Sequence, residues 1–251
     1  MKQAVHILDR IVNFLIVICF VPVLLYGLYG LWDSANINKQ ADTSLYQQYR
    51  PNEGKGISFE ALQKINPEVF GWLTIPGTHI DYPVVQAEGN TKYVNTDVMG
   101  EFALSGSIFL DCRNHKDFSD WNHVIYGHHM EKDAMFGELE KFQNQSYLDS
   151  HDFGELYYGD IWHKIEFFAF TVADAYDPLL YNTNLKKEDC GTYLDELRNH
   201  ADAFRELDFK EEERFVVLST CTSEGSNERH LLIGRITKQT ENHMGEKVYE
   251  G

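Results

Sequence analysis

The chain has 251 residues, of which 43% are hydrophobic and 24% are charged, and its formal net charge is −17. A chain of this size and composition can bury a sizeable core. We therefore expect one globular domain with an appendage, and not general disorder. No lysine- or arginine-rich stretch interrupts the acidic balance, which argues against binding to nucleic acid or to an anionic membrane surface.

The first predicted element is an apolar segment near the N-terminus. Residues Ile11 to Trp32 form an uncharged run of 22 residues, long enough to cross a bilayer as a helix. Lys2 and Arg10 precede the run and Asp33 follows it, so the positive-inside rule puts the N-terminus in the cytoplasm and the rest of the chain outside. A cleaved signal peptide is the alternative, but the run is too long and no clear cleavage site follows it. We predict a single-pass protein with a cytoplasmic stub and signal-anchor over residues 1–33.

A polar segment separates this anchor from the main domain. Residues 34–57 contain few apolar side chains and are predicted to form a partly helical extracellular stalk. Ser58 can cap a short helix with one apolar face, which opens a domain predicted to span residues 58–238. Residues 239–251 are predicted to be a polar C-terminal tail.

Short β-like runs between turn signals dominate the main domain. About eight such strands with few long helices favour a closed or nearly closed β-barrel over an alternating strand–helix fold. The predicted strands are Trp72 to Ile75, Tyr82 to Gln86, Gly106 to Leu110, His123 to Tyr126, Glu155 to Tyr158, Lys164 to Val172, Phe215 to Thr220 and Leu231 to Thr237.

Two helices are predicted among these strands. Between Asn184 and Phe209, apolar residues recur at spacings of four, four and three, which indicates a helix with one apolar stripe just before the Phe215 strand. The residues of this stripe are Tyr193, Leu197, Ala201 and Phe204. A smaller helix is predicted at Met135 to Phe142.

The cysteines give the first indication of chemistry. Cys112, Cys190 and Cys221 follow the predicted anchor, and an odd number leaves at least one thiol outside any disulfide within the chain. Cys221 ends a strand and precedes a polar segment, a position that holds a nucleophile rigidly and leaves it accessible. Position alone is equally compatible with a buried, inert cysteine.

A histidine pair ends another predicted strand. Gly127, His128 and His129 follow the run Val124-Ile125-Tyr126, and a nearby imidazole can take or share the proton of a thiol. Adjacent residues of an extended strand point to opposite faces, so only one histidine is expected to face the thiol. The pair could also be a metal half-site or two surface histidines, although no His-Glu-x-x-His or Cys-x-x-Cys pattern accompanies it.

Arg229 is the third candidate residue. It lies eight residues after Cys221 and opens the last strand, so a short connecting loop would put both residues at the same end of the barrel. A guanidinium donates several hydrogen bonds and can hold a carbonyl oxygen or its oxyanion. Taken alone, Arg229 is better explained as a surface charge.

In combination, these segments resemble the sortase family, and the resemblance extends over most of residues 58–237. The resemblance rests on the order of the motifs along the chain, because each motif alone would be weak evidence for the family. The segments are Phe70-Gly71-Trp72-Leu73-Thr74-Ile75-Pro76-Gly77, Ile80-Asp81-Tyr82-Pro83-Val84-Val85, Ser105-Gly106-Ser107-Ile108-Phe109-Leu110-Asp111, Tyr126-Gly127-His128, Leu218-Ser219-Thr220-Cys221 and Arg229 before an apolar strand. The helix before the cysteine-bearing strand resembles the extra helix of class B members. His129 departs from the Asn that often follows the catalytic histidine in that class.

The resemblance implies an eight-stranded barrel and a cysteine transpeptidase. It implies Cys221 as nucleophile, His128 as acid/base and Arg229 as oxyanion stabiliser, with no cofactor and no metal. It assigns no role to Asp111 or Glu224.

The implied substrates are secreted proteins that carry a C-terminal sorting motif, expected to begin Asn-Pro. The implied acceptor is an amine of peptidoglycan or its precursor. A pilin lysine as acceptor, a hydrolytic cysteine protease and a non-catalytic adhesion module are the alternatives. The envelope expected is of the Gram-positive type, with the catalytic domain outside the membrane.

Overall fold

A computed structural model describes residues 2–51, 58–210, 213–221 and 227–237, with the backbone alone at residues 2–5, 8 and 221. The chain divides into two compact units, one ending at Gln40 and the other beginning at Ala41. The predicted tail, 239–251, and part of the predicted stalk, 52–57, lie outside the described residues.

The first unit is one long helix, α1 (Lys2–Gln40). Among the described residues, Asp9–Gln40 is the one helix segment long and apolar enough to cross a membrane. Its large apolar side chains are exposed, including Phe20, Val23 and Tyr26. The segment is therefore a candidate membrane span by length and composition, and the helix continues past Trp32 into the predicted stalk.

The second unit is built on a closed β-barrel. Eight strands form a ring in the order β5-β1-β2-β3-β4-β8-β9-β6, and the pairing of β5 with β6 closes it. The strands are β1 (Val69–Thr74), β2 (Asp81–Val85), β3 (Ile108–Leu110), β4 (Asn122–Tyr126), β5 (Phe153–Tyr158), β6 (Ile161–Asp174), β7 (Ala203–Phe204), β8 (Arg214–Cys221) and β9 (Glu228–Thr237). The predicted eight-stranded barrel is confirmed, and the short β7, which was not predicted, pairs with the outer edge of β6.

The barrel wall is buried on both faces where β4, β8 and β9 run side by side. Ile125, Leu218 and Leu232 belong to one cluster of core residues, whereas their neighbours along the strands belong to another. The second cluster joins Val124, Val217 and Leu231 to apolar residues of α4 (Cys190–His200). Burial on both faces explains why the run Phe215 to Leu218 is apolar at every position instead of alternating.

The predicted helices exist, but their limits differ from the prediction. The apolar stripe of α4 buries Tyr193 and Leu197, as predicted, but the helix ends at His200. Ala201 caps it in an extended conformation, and Phe204 belongs to β7 instead. The backbone N–H of Asp202 donates to the carbonyl of Phe170 in β6, so sheet pairing replaces the last turn of the predicted helix.

Three shorter helical segments lie between β4 and β5, and the first is a short 3-10 helix, Glu131–Asp133. A 3-10 helix covers Gly137–Gln143, where the sequence predicts a small helix at Met135 to Phe142. The helix α3 (Gln145–Ser150) follows it and was not predicted. Asn144 caps α3 by accepting a hydrogen bond from the backbone N–H of Ser146.

Residues before the predicted domain start also contact the barrel. The helix α2 (Phe59–Ile65) begins after Ser58, whose side chain makes no capping hydrogen bond. Upstream, 3-10 helices cover Thr43–Leu45 and Gln47–Tyr49. Arg50 donates to the carboxylate of Asp81 in β2 at 3.2 Å, which fixes this segment to the barrel. The domain boundaries at residues 33, 57 and 238 stay predictions.

Burial of His123 in β4 predicts acid sensitivity. Its Nδ1 donates to the carbonyl of Phe215 at 3.0 Å, while Nε2 has no hydrogen-bond partner among the described residues. Burial lowers the pKa of His123 from 6.5 to about 4, so the unfolded chain binds more protons than the folded one between these values. Folding stability should therefore fall by up to about 3 kcal/mol as the pH drops from 6.5 to 4.

Urea unfolding of the full chain in detergent, repeated across this pH range, measures the effect. The variant His123→Leu should give a shallower dependence of unfolding free energy on pH than the wild type. An identical pH dependence in both proteins would contradict this assignment.

Candidate active site

Three neighbouring strands bring the predicted site residues to one end of the barrel. The parallel pairing of β4 with β8 sets Tyr126 opposite Ser219, and the backbone N–H of Gly127 donates to the Ser219 carbonyl at 3.1 Å. His128 follows Tyr126 by two residues, as Cys221 follows Ser219. The antiparallel pairing of β8 with β9 sets Cys221 directly opposite Arg229. His128, Cys221 and Arg229 therefore lie at the same end of the barrel, at or just beyond the ends of three adjacent strands.

The ring of His128 is held by the segment between β2 and β3. Its Nε2 lies 2.7 Å from the backbone carbonyl oxygen of Val94. A carbonyl oxygen only accepts hydrogen bonds, so Nε2 carries the hydrogen and the lone pair of the neutral ring is on Nδ1. The contact fixes both the orientation of the ring and the nitrogen available for proton transfer.

Gly106 makes the close packing around His128 possible. Its φ is +58°, and a Cβ at this position would meet the carbonyl oxygens of Tyr93 and Val94 at 2.5 and 2.6 Å and Cδ2 of His128 at 3.1 Å. We expect Gly106→Ala to displace the Val94 carbonyl and with it the ring. Since small misplacements of reacting groups are costly, kcat/KM for the peptide cleavage that the sequence predicts should fall by about 10²-fold.

The matched control for this change is Gly159→Ala. Gly159 has a similar φ of +56°, but nothing lies within 4 Å of the position of its Cβ. It therefore reproduces the backbone strain without the clash. An equal loss of activity in both variants would show that strain, and not displacement of His128, is responsible.

His129 has different neighbours from His128. Its ring lies 6.2 Å from that of His230 in β9, and its Nε2 is 4.0 Å from the carboxylate of Glu140. Burial lowers the pKa of His230, and the proximity of His129 adds to the effect. The two histidines of the pair therefore have different surroundings, and the choice of His128 as acid/base stays a prediction.

Arg229 is half-buried at the start of β9. Its Nη1 donates to the backbone carbonyl of Glu228 at 2.8 Å. The following residue, His230, pairs with Thr220, so Arg229 and Cys221 form the last residue pair between β8 and β9. Directly opposed residues of an antiparallel pair share a face of the sheet, which puts Arg229 in the row of Ser219 and Cys221.

Polar contacts brace the strands behind these residues. The hydroxyls of Tyr181 and Ser219 are 2.7 Å apart, and the Tyr126 hydroxyl donates to Asp111 at 2.9 Å. Burial would raise the pKa of the Asp111 carboxyl, but hydrogen bonds from Arg113 and Tyr126 outweigh it and hold the pKa below its usual range. Asp111 is therefore a buried anion that anchors the end of β4. Glu224 lies outside the described residues.

The sequence did not identify the residues that support His128. Val94 acts through its backbone carbonyl, for which side-chain identity gives no signal. Gly106 lies within a segment quoted for the sortase resemblance, and a glycine as the first residue of a predicted strand could have suggested close packing. Tyr181 lies in the connection between β6 and α4, with no pattern that indicates its contact with β8.

Comparison with known proteins decides the family. The sortase domain model matches residues 73–237. The chain belongs to the sortase family. Sortases are cysteine transpeptidases, and the relatives place this sortase in class B. Sortase B of Listeria monocytogenes is 33% identical over 174 residues, which cover 68% of this chain and 70% of the relative.

Solved class B structures share the fold of this sortase. A Streptococcus pyogenes class B sortase involved in pilus biogenesis is 40% identical, with a TM-score of 0.67, over 72% of this chain and 98% of the other. A Staphylococcus aureus sortase B–substrate complex is 28% identical, with a TM-score of 0.68, over 85% of this chain and all of the other. A sortase B complexed with triglycine is 26% identical, with a TM-score of 0.67, over 85% of this chain and all of that chain. The family is associated with the cell envelope.

Proposed function

We propose that this sortase uses Cys221 as nucleophile, His128 as acid/base and Arg229 as oxyanion stabiliser. The observation that carries the assignment is the strand register. It pairs Cys221 with Arg229, and the end of β4, which leads to His128, lies beside β8. The hydrogen bond from His128 to Val94 supports it, because it leaves Nδ1 to exchange a proton.

In the proposed reaction, the Cys221 thiolate attacks the carbonyl carbon of the scissile peptide bond in a sorting motif. The carbonyl oxygen becomes an oxyanion, which the Arg229 guanidinium stabilises. Protonated His128 donates its proton to the leaving amine, the C–N bond breaks, and a thioacyl enzyme remains. His128 then takes a proton from an incoming amine, which attacks the thioester carbonyl and releases the Cys221 thiolate. Water in place of the amine gives slow hydrolysis.

The proposed substrates are secreted proteins with a C-terminal motif that begins Asn-Pro. The relatives supporting a peptide substrate and an amine acceptor are the sortase B structures with a substrate and with triglycine. We propose an amine of peptidoglycan or its precursor as the acceptor. The candidate span Asp9–Gln40 supports a single-pass anchor with the barrel outside the membrane.

Pilin polymerisation is a second candidate function. It is favoured by the 40% identity to the Streptococcus pyogenes enzyme involved in pilus biogenesis. The chemistry would be the same, with a lysine side chain of a pilin subunit as the incoming amine.

Competition between acceptors distinguishes these functions. The full chain in detergent is incubated with a library of sorting-motif peptides, together with equal amounts of oligoglycine and of a peptide whose only amine is a lysine side chain. Mass spectrometry identifies the ligated product. Oligoglycine products support anchoring to peptidoglycan, and lysine products support pilus assembly. Cleavage that is indifferent to either amine would contradict the transpeptidase proposal and indicate a protease.

A further inference from the structure

A cluster of two histidines and a glutamate lies beside the proposed catalytic residues. His129, Glu140 and His230 each offer one potential ligand atom, and these atoms lie within 4.8 Å of one another. They come from three elements: the segment after β4, the 3-10 helix Gly137–Gln143 and the start of β9. Zinc ligands at about 2.0–2.1 Å from the metal in a tetrahedral site lie about 3.3 Å apart, so small side-chain rotations would close the cluster around an ion.

The histidines of this cluster lack the partners that buried imidazoles normally have. Nδ1 of His129 and Nδ1 of His230 are both buried, and neither has a hydrogen-bond partner among the described residues. Buried polar atoms are nearly always satisfied, so two unsatisfied ring nitrogens in one cluster require an explanation. A cation bound through an Nδ1 atom would satisfy that atom, whereas Nε2 is the nitrogen of His129 that lies near Glu140.

The charge around the cluster also favours a cation. Glu140 contributes one carboxylate at 4.0 Å from His129, and Asp202 and Glu228 are close enough to His230 to influence its charge. The Glu140 side chain is 50% exposed, which leaves a route for an ion from solvent. Nitrogen and carboxylate ligands together suit zinc and similar divalent transition metals.

A second group of comparable spacing lacks these properties. His79, Asp133 and Glu138 also lie close together, but Lys141 donates hydrogen bonds to both carboxylates. The Glu138 carboxylate also accepts the backbone N–H of His79. Its acceptor atoms are occupied by the protein itself, so this group serves as an internal comparison.

We propose that His129, Glu140 and His230 form a binding site for one divalent transition-metal ion, with Zn²⁺ as the expected ligand. The ion would join the segment after His128 to the start of β9, next to Arg229, and it would stabilise this end of the barrel. The bound ion would take no part in the transpeptidation reaction.

Zinc titration of the full-length Cys221→Ala protein in detergent, without an affinity tag, tests the proposal. Removing the Cys221 thiol eliminates zinc binding by the proposed nucleophile, so the result does not depend on the catalytic assignment. Isothermal calorimetry should show one Zn²⁺ per chain, and the melting temperature should rise on saturation. Co²⁺ should give the strong visible absorption of a four-coordinate site.

Two substitutions and one control locate the ion. Glu140→Gln and His230→Gln should each weaken zinc binding by at least about 10-fold and reduce the thermal shift, and Glu140→Gln changes an exposed side chain. His79→Gln should leave both measurements as in the parent protein. Absence of zinc binding, or binding that survives Glu140→Gln and is lost in His79→Gln, would overturn the proposal.

Discussion

Replacing His128 by Gln should lower kcat/KM for transpeptidation by about 10²–10⁴-fold, the range that a general acid–base group contributes. The Gln amide nitrogen can occupy the position of Nε2 and retain its hydrogen bond to the Val94 carbonyl, which His128 makes at 2.7 Å, but it cannot carry a proton between the leaving and incoming amines. The loss should therefore be in chemistry and not in folding. Initial rates of ligation with a fluorescent motif peptide measure it, and melting temperature serves as the folding check.

The companion variant is His129→Gln, assayed in the presence of a chelator. His129 contacts Glu140 and His230 instead of Val94, so this variant should keep at least about a tenth of the wild-type activity. A larger loss in His129→Gln than in His128→Gln would reverse the assignment of the two histidines.

Arg229→Lys should cost about 10²–10³-fold in kcat, the loss seen when one oxyanion donor is removed. Lysine keeps the positive charge, but it lacks the planar fork that can donate to the backbone carbonyl of Glu228 and to a substrate oxygen at the same time. Its shorter reach also shifts the donor relative to Cys221 on the opposite strand. Single-turnover formation of the thioacyl enzyme measures this step directly.

Arg198→Lys provides the conservative control. Arg198 lies on α4 and pairs with the exposed carboxylates of Asp195 and Glu206, and exposed ion pairs contribute little. Activity should be close to that of the wild type. Should Arg229→Lys behave in the same way, the guanidinium would have no part in stabilising the oxyanion.

The positions of the strands could be predicted from the sequence because the barrel buries its strands. Runs such as Phe215 to Val217 are apolar and β-branched or aromatic, so all eight ring strands could be predicted within a few residues. The end of α4 could not, because its apolar spacing continues through Ala201 and Phe204 into residues that pair with β6. Local periodicity cannot reveal where a sheet edge competes for the chain.

The site could be predicted only in part, because the sequence shows residue types but not their positions relative to one another. Cys221, His128 and Arg229 are distinctive residue types at strand ends, and the sequence could name them without showing their register. The Val94 carbonyl that orients His128 has no side-chain signal. The sequence also argued against a metal at the histidine pair, because no His-Glu-x-x-His or Cys-x-x-Cys pattern accompanies it, and the other members of the cluster, Glu140 and His230, belong to other elements.

Intact-mass analysis of the enzyme with a sorting-motif peptide and no amine acceptor tests the central assignment most directly. We predict an adduct with the mass of the N-terminal peptide fragment, located on Cys221 by fragmentation and absent from Cys221→Ala. Addition of amine should discharge it and yield ligated peptide. An adduct on another residue, or ligated product from Cys221→Ala, would contradict the account.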